Sequence, residues 1–245
     1  MSTARGDSSL RLLRFVCESI KMGLLDARIS VVVSNRKPGE AAQTDRFFDY
    51  VRSQGLPLVC ESSAKFRKDF PSPDWRTRFD QLLASRLEPF EVDVLFLAGY
   101  MLIVSDFLCE RYPLLNLHPA LPDGPKGTWP EVMAELARTD AKRTGAMVHV
   151  VTPELDRGPV VSYFSFSLDT EPFASLRMAG NVAELADAIR AHELQREFPL
   201  ILTTLRALAS EQVTILERQV YDADGRLLER GLDLSAEVDR FLEES

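Results

Sequence analysis

The apolar run LLNLHPALP, residues 114–122, contains an amide and an imidazole two positions apart. In an extended strand such side chains point to the same face, so Asn116 and His118 are predicted to lie side by side. An amide can donate a hydrogen bond to a developing oxyanion while an imidazole carries a proton, which is the chemistry of acyl transfer. The same pair also fits an ordinary core histidine at a strand end, so both interpretations remain open.

A carboxylate follows thirty-eight residues after the histidine, in the segment VTPELDRGPV. Asp156 precedes a Gly-Pro pair there, and an aspartate in such a segment is usually a turn residue. If it reached His118, it would favour the charged imidazolium and form an acid–base pair with it. No serine lies in a nucleophile elbow and no His/Cys cluster has metal-ligand spacing, so we predict neither a serine hydrolase nor a metal site.

A third candidate is the segment RGDSS, residues 5–9, which leads into the first amphipathic stretch. A loop that feeds a helix N-terminus can hold a phosphate through backbone N–H groups and the helix dipole. Gly6, Ser8 and Ser9 are therefore candidate phosphate-binding residues. A simple helix cap is the alternative, because the loop has one glycine and no fingerprint spacing.

The elements that must position these residues alternate between strands and helices. Short β-branched runs at 29–35, 56–62 and 92–100 are separated by amphipathic helical stretches. This order predicts an α/β fold with a doubly wound, mostly parallel sheet and helices on both faces. Only three residues precede the loop ARGDSS, so the first strand is predicted to be truncated or missing.

The second half of the chain has a different pattern. Segments 145–152 and 159–168 alternate as two antiparallel strands that extend the sheet after the turn. A helix over 182–210 is predicted to be interrupted or kinked near Pro199. A hairpin turning at Asp222–Gly225 and a last helix then follow. We predict one domain over residues 1–208, with the hairpin and helix of residues 209–245 appended to it.

Composition restricts the possible classes of function. The 245 residues include 29 Lys and Arg against 37 Asp and Glu, and the net charge of −8 disfavours a general nucleic-acid binder. Three isolated cysteines indicate buried thiols in a reducing compartment. No apolar run approaches the ~20 residues that span a bilayer, and the first residues lack a signal-peptide core. We expect a cytoplasmic protein without membrane contacts.

Three motifs in order, VDVLFLAGYMLIVS, LLNLHPALP and TGAMVHVVTPELDRGPVV, resemble those of formyltransferases that use 10-formyltetrahydrofolate. The resemblance runs from about residue 8 to residue 205 and is most specific between Asp93 and Pro159. It implies a Rossmann-like formyltransferase fold with Asn116, His118 and Asp156 as the catalytic trio. The implied reaction moves a formyl group from the folate, the cosubstrate, to the amine of glycinamide ribonucleotide in purine biosynthesis, without a metal.

The resemblance also implies binding residues for both small-molecule substrates. The acceptor phosphate is assigned to Gly6, Ser8, Ser9 and Arg76. The folate is assigned to Met101, Leu102, Val104, Glu154 and Leu155. The acceptor ribose is assigned to Glu193. This chain departs from the family at several of these positions. Asp7 lies in the phosphate loop, Leu102 stands where the family usually has arginine, Lys126 and Trp129 are added near the cleft, and Glu193 is displaced by one position.

Alternatives within the same fold differ in the acceptor. Another amine, such as an amino sugar nucleotide, or water in a formyltetrahydrofolate hydrolase would use the same trio. A non-catalytic folate- or nucleotide-binding paralogue is the alternative from another class. Methionyl-tRNA formyltransferase is disfavoured because the C-terminal segment is short and acidic. We expect no nucleic-acid partner, and either a monomer or a homodimer.

Overall fold

The computed structural model describes residues 1–154 and 156–244, and the chain divides into two compact units. Unit 1 contains Met1–Asn116 and Val151–Pro153. Unit 2 contains Leu117–Val150 and Glu154–Ser245, with residues 155 and 245 outside the described ranges. No described helix is both long and apolar enough to cross a bilayer. The predicted division at residue 208 stays a prediction.

Unit 1 alternates helices with short parallel strands, as the sequence pattern predicts. Its elements are α1 Asp7–Lys21, β1 Val32–Ser34, α2 Ala42–Ser53, β2 Leu58–Cys60, α3 Ser63–Asp69, α4 Trp75–Leu87, β3 Leu95–Leu97, α5 Asp106–Arg111 and most of β4 Leu114–His118. Strand β1 pairs in parallel with β2, and β3 pairs in parallel with β4. The helix between each pair makes the crossover that parallel strands require.

The first three residues connect the two strand pairs of unit 1. The Ser2 N–H donates to the Val33 carbonyl at 2.8 Å, and the Thr3 N–H donates to the Gly99 carbonyl at 3.2 Å. Ser2 also forms an isolated parallel bridge with Ser34. In place of a full first strand, this position therefore holds a single bridge, in agreement with the prediction that the strand is truncated or missing.

Two apolar clusters hold unit 1 together. One consists of side chains from α4, α5 and the adjoining strands, including the fully buried Phe79, Leu83 and Leu108. The other packs Phe48 and Val51 of α2 against β1. Burying a side chain of this size contributes about 1.5–3 kcal/mol, so these clusters fix the helices on the strands.

Unit 2 begins within β4 and extends the sheet in antiparallel fashion. Its further elements are α6 Trp129–Arg138, β5 Arg143–Val150, β6 Val160–Ser167, α7 Phe173–Met178, α8 Val182–Ala209, β7 Val213–Leu216, β8 Gln219–Asp222, β9 Leu232–Asp233 and α9 Ser235–Glu244. The strand order is β4-β5-β6-β9, with β5 antiparallel to β6. At Gly145 a Cβ atom would lie 1.8 Å from the Phe164 carbonyl oxygen, so only glycine fits this crossing of the two strands.

Helix α8 runs through Pro199 without an interruption, and the alternative expectation, a kink at this residue, stays a prediction. The Thr203 hydroxyl donates to the Pro199 carbonyl at 2.9 Å, and the neighbouring residues Leu200 and Leu202 are fully buried. Burial of this segment holds the helix together despite the N–H that proline lacks.

The C-terminal segment contains the predicted turn at Asp222–Gly225 and, before it, a hairpin turn that the sequence pattern did not predict. Strands β7 and β8 are joined by Glu217 and Arg218, both with left-handed φ of 50° and 63°. Non-glycine residues rarely signal such a turn in a sequence. The predicted segment Asp222–Gly225 makes a second, smaller turn, closed by a bridge between Tyr221 and Leu227.

Candidate functional site

His118 ends strand β4, as the motif predicts, and its side chain is buried with 3% of its surface exposed. Its Nε2 lies 3.0 Å from the Pro125 carbonyl oxygen. Because a carbonyl only accepts, this geometry assigns a proton to Nε2. Its Nδ1 faces the Asp156 Oδ2 atom at 3.7 Å, which is ion-pair range but too long for a hydrogen bond.

Asp156 lies between two histidines of unit 2. Its Oδ2 faces His118, and its Oδ1 lies 3.7 Å from His149 Nε2. The aspartate adopts a left-handed backbone conformation with φ of 52°, which Asp tolerates better than most residues. The turn that carries it is closed by the Arg157 N–H, which donates to the Glu154 carbonyl at 3.3 Å. The structure thus brings together two members of the predicted trio.

His149 in β5 is a neighbour of the site that the sequence interpretation missed. It is 2% exposed, and its Nδ1 lies 3.0 Å from the Val150 carbonyl, so Nδ1 is the donor. Its Nε2 has no hydrogen-bond partner in the described part of the chain. Burial is the largest cause of a lowered pKa for His149, against the raising effects of the Val150 carbonyl and Asp156, and His118 lowers it further. In the sequence, His149 could have been recognised as the one polar residue in the apolar run AMVHVV.

Asn116 lies two residues before His118 in β4, on the same face of that strand. It belongs to unit 1, where its backbone is in register with Leu97 of β3, and it is partly buried. Ligands of open α/β sheets collect at the carboxyl ends of parallel strands, and β4 ends at His118. The strand prediction is therefore confirmed for this motif. The catalytic role of Asn116 stays a prediction.

The predicted folate residues of unit 1 lie in the loop between β3 and α5. The Met101 side chain is 66% exposed, but its backbone N–H donates to Thr3 Oγ1 at 2.7 Å. Leu102 is half-buried, and Val104 belongs to the apolar cluster of unit 1. Glu154, in unit 2, is exposed, and Leu155 lies outside the described residues. A ligand that needs a main-chain donor from Met101 would thus compete with Thr3.

The predicted phosphate residues are not all brought together. Helix α1 begins at Asp7, and Gly6 caps it without a side-chain hydrogen bond. Ser8 is exposed, but the buried Ser9 donates its hydroxyl to the Ala98 carbonyl at 2.9 Å. Arg76 in α4 is exposed and lies over the Trp75 ring at 5.2 Å. Within residues 1–154 and 156–244, Arg76 makes no hydrogen bond or ion pair with residues 6–9.

The predicted ribose ligand, Glu193 in α8, is fully buried within unit 2. Burial raises its pKa to about 9, although Arg190 Nη1, at 3.6 Å from Oε2, lowers it. The Thr144 hydroxyl lies 3.5 Å from Glu193 Oε1, and Arg190 also pairs with Glu197 at 2.5 Å. Glu193 therefore carries its proton at neutral pH and faces protein groups. Of the two residues that the sequence adds near the cleft, Lys126 is exposed and Trp129 packs under Arg190 at 5.3 Å.

The described part of the chain contains no cluster of metal-ligating side chains. Within residues 1–154 and 156–244, no group of three or more His, Cys, Asp or Glu side chains is arranged to hold a metal ion. The His118 and His149 imidazoles each lie 3.7 Å from the Asp156 carboxylate. We call these three residues the Asp156 cluster.

Comparison with known proteins gives one family. The model of the formyl transferase family matches residues 9–171. The chloroplastic phosphoribosylglycinamide formyltransferase of Vigna unguiculata is 26% identical over 206 residues, covering 82% of this chain and 58% of that protein. The formyltetrahydrofolate deformylase of Haemophilus influenzae is 26% identical over 175 residues, covering 70% of this chain and 56% of that protein.

A solved structure extends the likeness to the fold. Glycinamide ribonucleotide transformylase 1 from Symbiobacterium toebii has 26% identity and a TM-score of 0.65, with 91% of this chain and 90% of that chain covered. The predicted formyltransferase fold is thereby confirmed. The match spans 48%, 58% and 64% of the lengths of the first three curated relatives.

Proposed function

The chain belongs to the formyl transferase family, and we propose that it transfers the formyl group of 10-formyltetrahydrofolate to the primary amine of glycinamide ribonucleotide. The observation that supports this most directly is the position of the Asp156 carboxylate, 3.7 Å from His118 Nδ1 at the end of a parallel strand. Two relatives named phosphoribosylglycinamide formyltransferase, from Bacillus subtilis and Vigna unguiculata, support the choice of acceptor.

In the proposed reaction the amine attacks the formyl carbon and a tetrahedral oxyanion forms. Asn116 supplies an amide donor to that oxyanion, and His118 supplies an N–H donor. One well-placed donor of this kind contributes roughly 3–4 kcal/mol to transition-state stabilisation. The transfer is direct and needs no covalent enzyme intermediate, which agrees with the absence of a recognisable nucleophile in the sequence.

Proton movement is assigned to the Asp156 cluster. The Asp156 carboxylate stabilises a proton on His118 Nδ1 and, through water, takes the proton that the attacking amine loses. The proton then passes to N10 of the folate as the carbon–nitrogen bond breaks. His118 Nε2 donates to the Pro125 carbonyl at 3.0 Å, so it must exchange this partner for the oxyanion. The exchange gives the nitrogen a new acceptor and leaves the Pro125 carbonyl without its donor.

Substrate contacts are proposed by residue. Main-chain groups of Met101, Leu102 and Val104, with Glu154 and Leu155, hold the folate. The acceptor phosphate is held by backbone N–H groups at Gly6, Ser8 and Ser9, together with Arg76. Glu193 contacts the ribose as a neutral acid, because its raised pKa makes it a hydrogen-bond donor at neutral pH. That contact requires the carboxyl group to leave Arg190 and Thr144.

Hydrolysis of the same folate is the second candidate, supported by the equal 26% identity of the Haemophilus influenzae deformylase. Water would then replace the amine as the nucleophile, and formate would be released. The Asp156 cluster serves both reactions, since each needs an oxyanion donor and a base.

A transfer assay distinguishes the two reactions. Deformylated folate is followed by absorbance with and without glycinamide ribonucleotide, and formate is measured in parallel. Product that depends on the ribonucleotide, without formate, supports transfer. Product and formate without any amine support hydrolysis, and an absence of product with both substrates rejects both. The His118→Ala variant is the blank, and Arg52→Gln, which alters an exposed pair with Asp49, is the matched control.

A further inference from the structure

A cavity of about 240 Å³ opens on unit 1 beside the loop that precedes α1. It is lined by residues from four segments of that unit: Thr3, Arg5, Asn35, Arg36, Glu40, Ser63, Ala64, Met101 and Leu102. A water molecule takes up about 30 Å³, so the cavity has room for a small polar group with its neighbours. None of the residues predicted to bind phosphate lines it.

The two arginines of this cavity are free of ion pairs. Neither Arg5 nor Arg36 pairs with a carboxylate in the part of the chain that the structure describes, although Glu40 lines the same cavity. The Arg36 guanidinium donates a hydrogen bond to the neutral Thr44 hydroxyl at 3.2 Å. By contrast, Arg46 and Arg52 of the same unit lie against Asp7 and Asp49.

A buried amide adds a second, independent feature. Asn35 is 6% exposed, and its Nδ2 donates to the Ser63 hydroxyl at 3.0 Å. Its Oδ1 atom has no hydrogen-bond partner among the described residues. A buried acceptor without a partner is destabilising, and a ligand N–H or O–H would supply the missing hydrogen bond.

We propose that this cavity binds an oxyanion of one of the two substrates, held by Arg5 and Arg36, with Asn35 accepting a hydrogen bond from a neighbouring N–H or O–H. The guanidinium fork matches the oxygens of a phosphate or a carboxylate. The identity of the substrates rests on the proposed function. The oxyanion has two possible sources, the glutamyl carboxylate of the folate and the phosphate monoester of the acceptor. In the second case the cavity replaces Gly6, Ser8, Ser9 and Arg76 as the phosphate site.

Binding titrations test the cavity without any turnover. Inorganic phosphate and glutarate are titrated separately into the full chain, and the Arg side-chain N–H resonances are followed by NMR. The variants are Arg5→Gln, Arg36→Gln and their combination, with Arg52→Gln as a control of equal charge change. Because Arg36 is partly buried, Arg36→Lys is included, and thermal unfolding shows which variants are folded.

We expect saturable binding of at least one probe to the wild type and the control, weakened roughly tenfold by either Gln substitution and further by both. Phosphate alone would identify the acceptor as the source, glutarate alone the folate, and both a shared subsite. Equal binding to the wild type and the double variant, or no binding of either probe, would overturn the proposal. An inactive chain that still binds a probe through Arg5 and Arg36 would reject the formyl transfer and leave the subsite standing.

Discussion

The Asp156 cluster of unit 2 and the arginine cavity of unit 1 neutralise their charges in different ways. In unit 2 the Asp156 carboxylate lies 3.7 Å from each of two buried imidazoles. In unit 1 the Arg5 and Arg36 side chains line a cavity and pair with no carboxylate of residues 1–154 and 156–244. Groups that transfer protons need protein partners that set their proton affinity. Groups that bind a charged substrate have no such partner in the protein, because the substrate itself supplies the opposite charge.

Replacing His118 with alanine is the severest test of this contrast. We expect kcat to fall at least about 10³-fold, because the variant loses both a proton carrier and an oxyanion donor. Folate binding, measured by fluorescence quenching, should stay within about twofold, since the loop at 101–104 is untouched. Turnover near the wild-type value would refute the role of the Asp156 cluster.

The Asp156→Asn substitution removes the charge and keeps the shape. Asparagine also tolerates the left-handed backbone at this position, so the thermal midpoint should change little. We expect kcat to decrease roughly 10²–10³-fold with a nearly unchanged KM for the acceptor. An equal rise in KM without loss of kcat would instead assign Asp156 to binding, and the two regions would no longer differ.

Glu193 tests whether burial alone sets proton affinity in unit 2. Its folded-state pKa is raised to about 9, above the ordinary value of 4.5, so the protonated acid stabilises the fold. This stability is fully present below about pH 4.5 and is lost progressively as the pH rises toward 9. In urea unfolding at pH 5, 7 and 9, Glu193→Gln should flatten the decline in unfolding free energy. Identical slopes in variant and wild type would contradict the assignment.

His149→Gln keeps a polar side chain beside Asp156 but removes the imidazole. We expect kcat to fall about fivefold, equivalent to ~1 kcal/mol, because the carboxylate loses one neighbour and keeps the other. The acid limb of the kcat profile should shift as well, which a purely structural role would not produce. An unshifted profile with a lowered thermal midpoint would make His149 a packing residue only.

The smallest expected effect comes from salt. Raising the ionic strength from about 0.05 to 0.5 M shortens the Debye length and weakens exposed charge–charge contacts more than buried ones. The KM of the substrate that carries the bound oxyanion should rise severalfold, while kcat stays nearly constant. The Arg5→Gln/Arg36→Gln protein should show a smaller rise. A salt effect confined to kcat would reverse the assignment of the two regions.

The alternation of residue types along the sequence correctly predicts the elements that are formed by residues close together in the chain. The alternation around Asn116 and His118 correctly predicts strand β4, and segment 145–152 correctly predicts β5. The approach of Asp156 to His118 joins residues 38 positions apart through a turn with left-handed φ, and pairwise spacing carries no information about it. Family resemblance supplied that pairing.

Other features depend on three-dimensional packing that no short motif encodes. The Met101 N–H is taken by Thr3, and the Ser9 hydroxyl by the Ala98 carbonyl, through contacts nearly a hundred residues apart in sequence. His149 was overlooked because one polar residue in a buried strand usually has a structural role. The turn at Glu217 and Arg218 lacks the glycine or asparagine that normally marks it.

The hydrogen bond between His118 Nε2 and the Pro125 carbonyl has a thermodynamic consequence for any ligand that needs this nitrogen. Only the fraction of molecules in which the bond is open can bind such a ligand productively. The measured dissociation constant is then the intrinsic constant divided by that fraction. A substitution that keeps the 120–128 loop away from His118 would therefore increase the affinity for transition-state analogues more than the affinity for ground-state folates. The ratio of the two affinities would report the population of molecules in which the bond is closed.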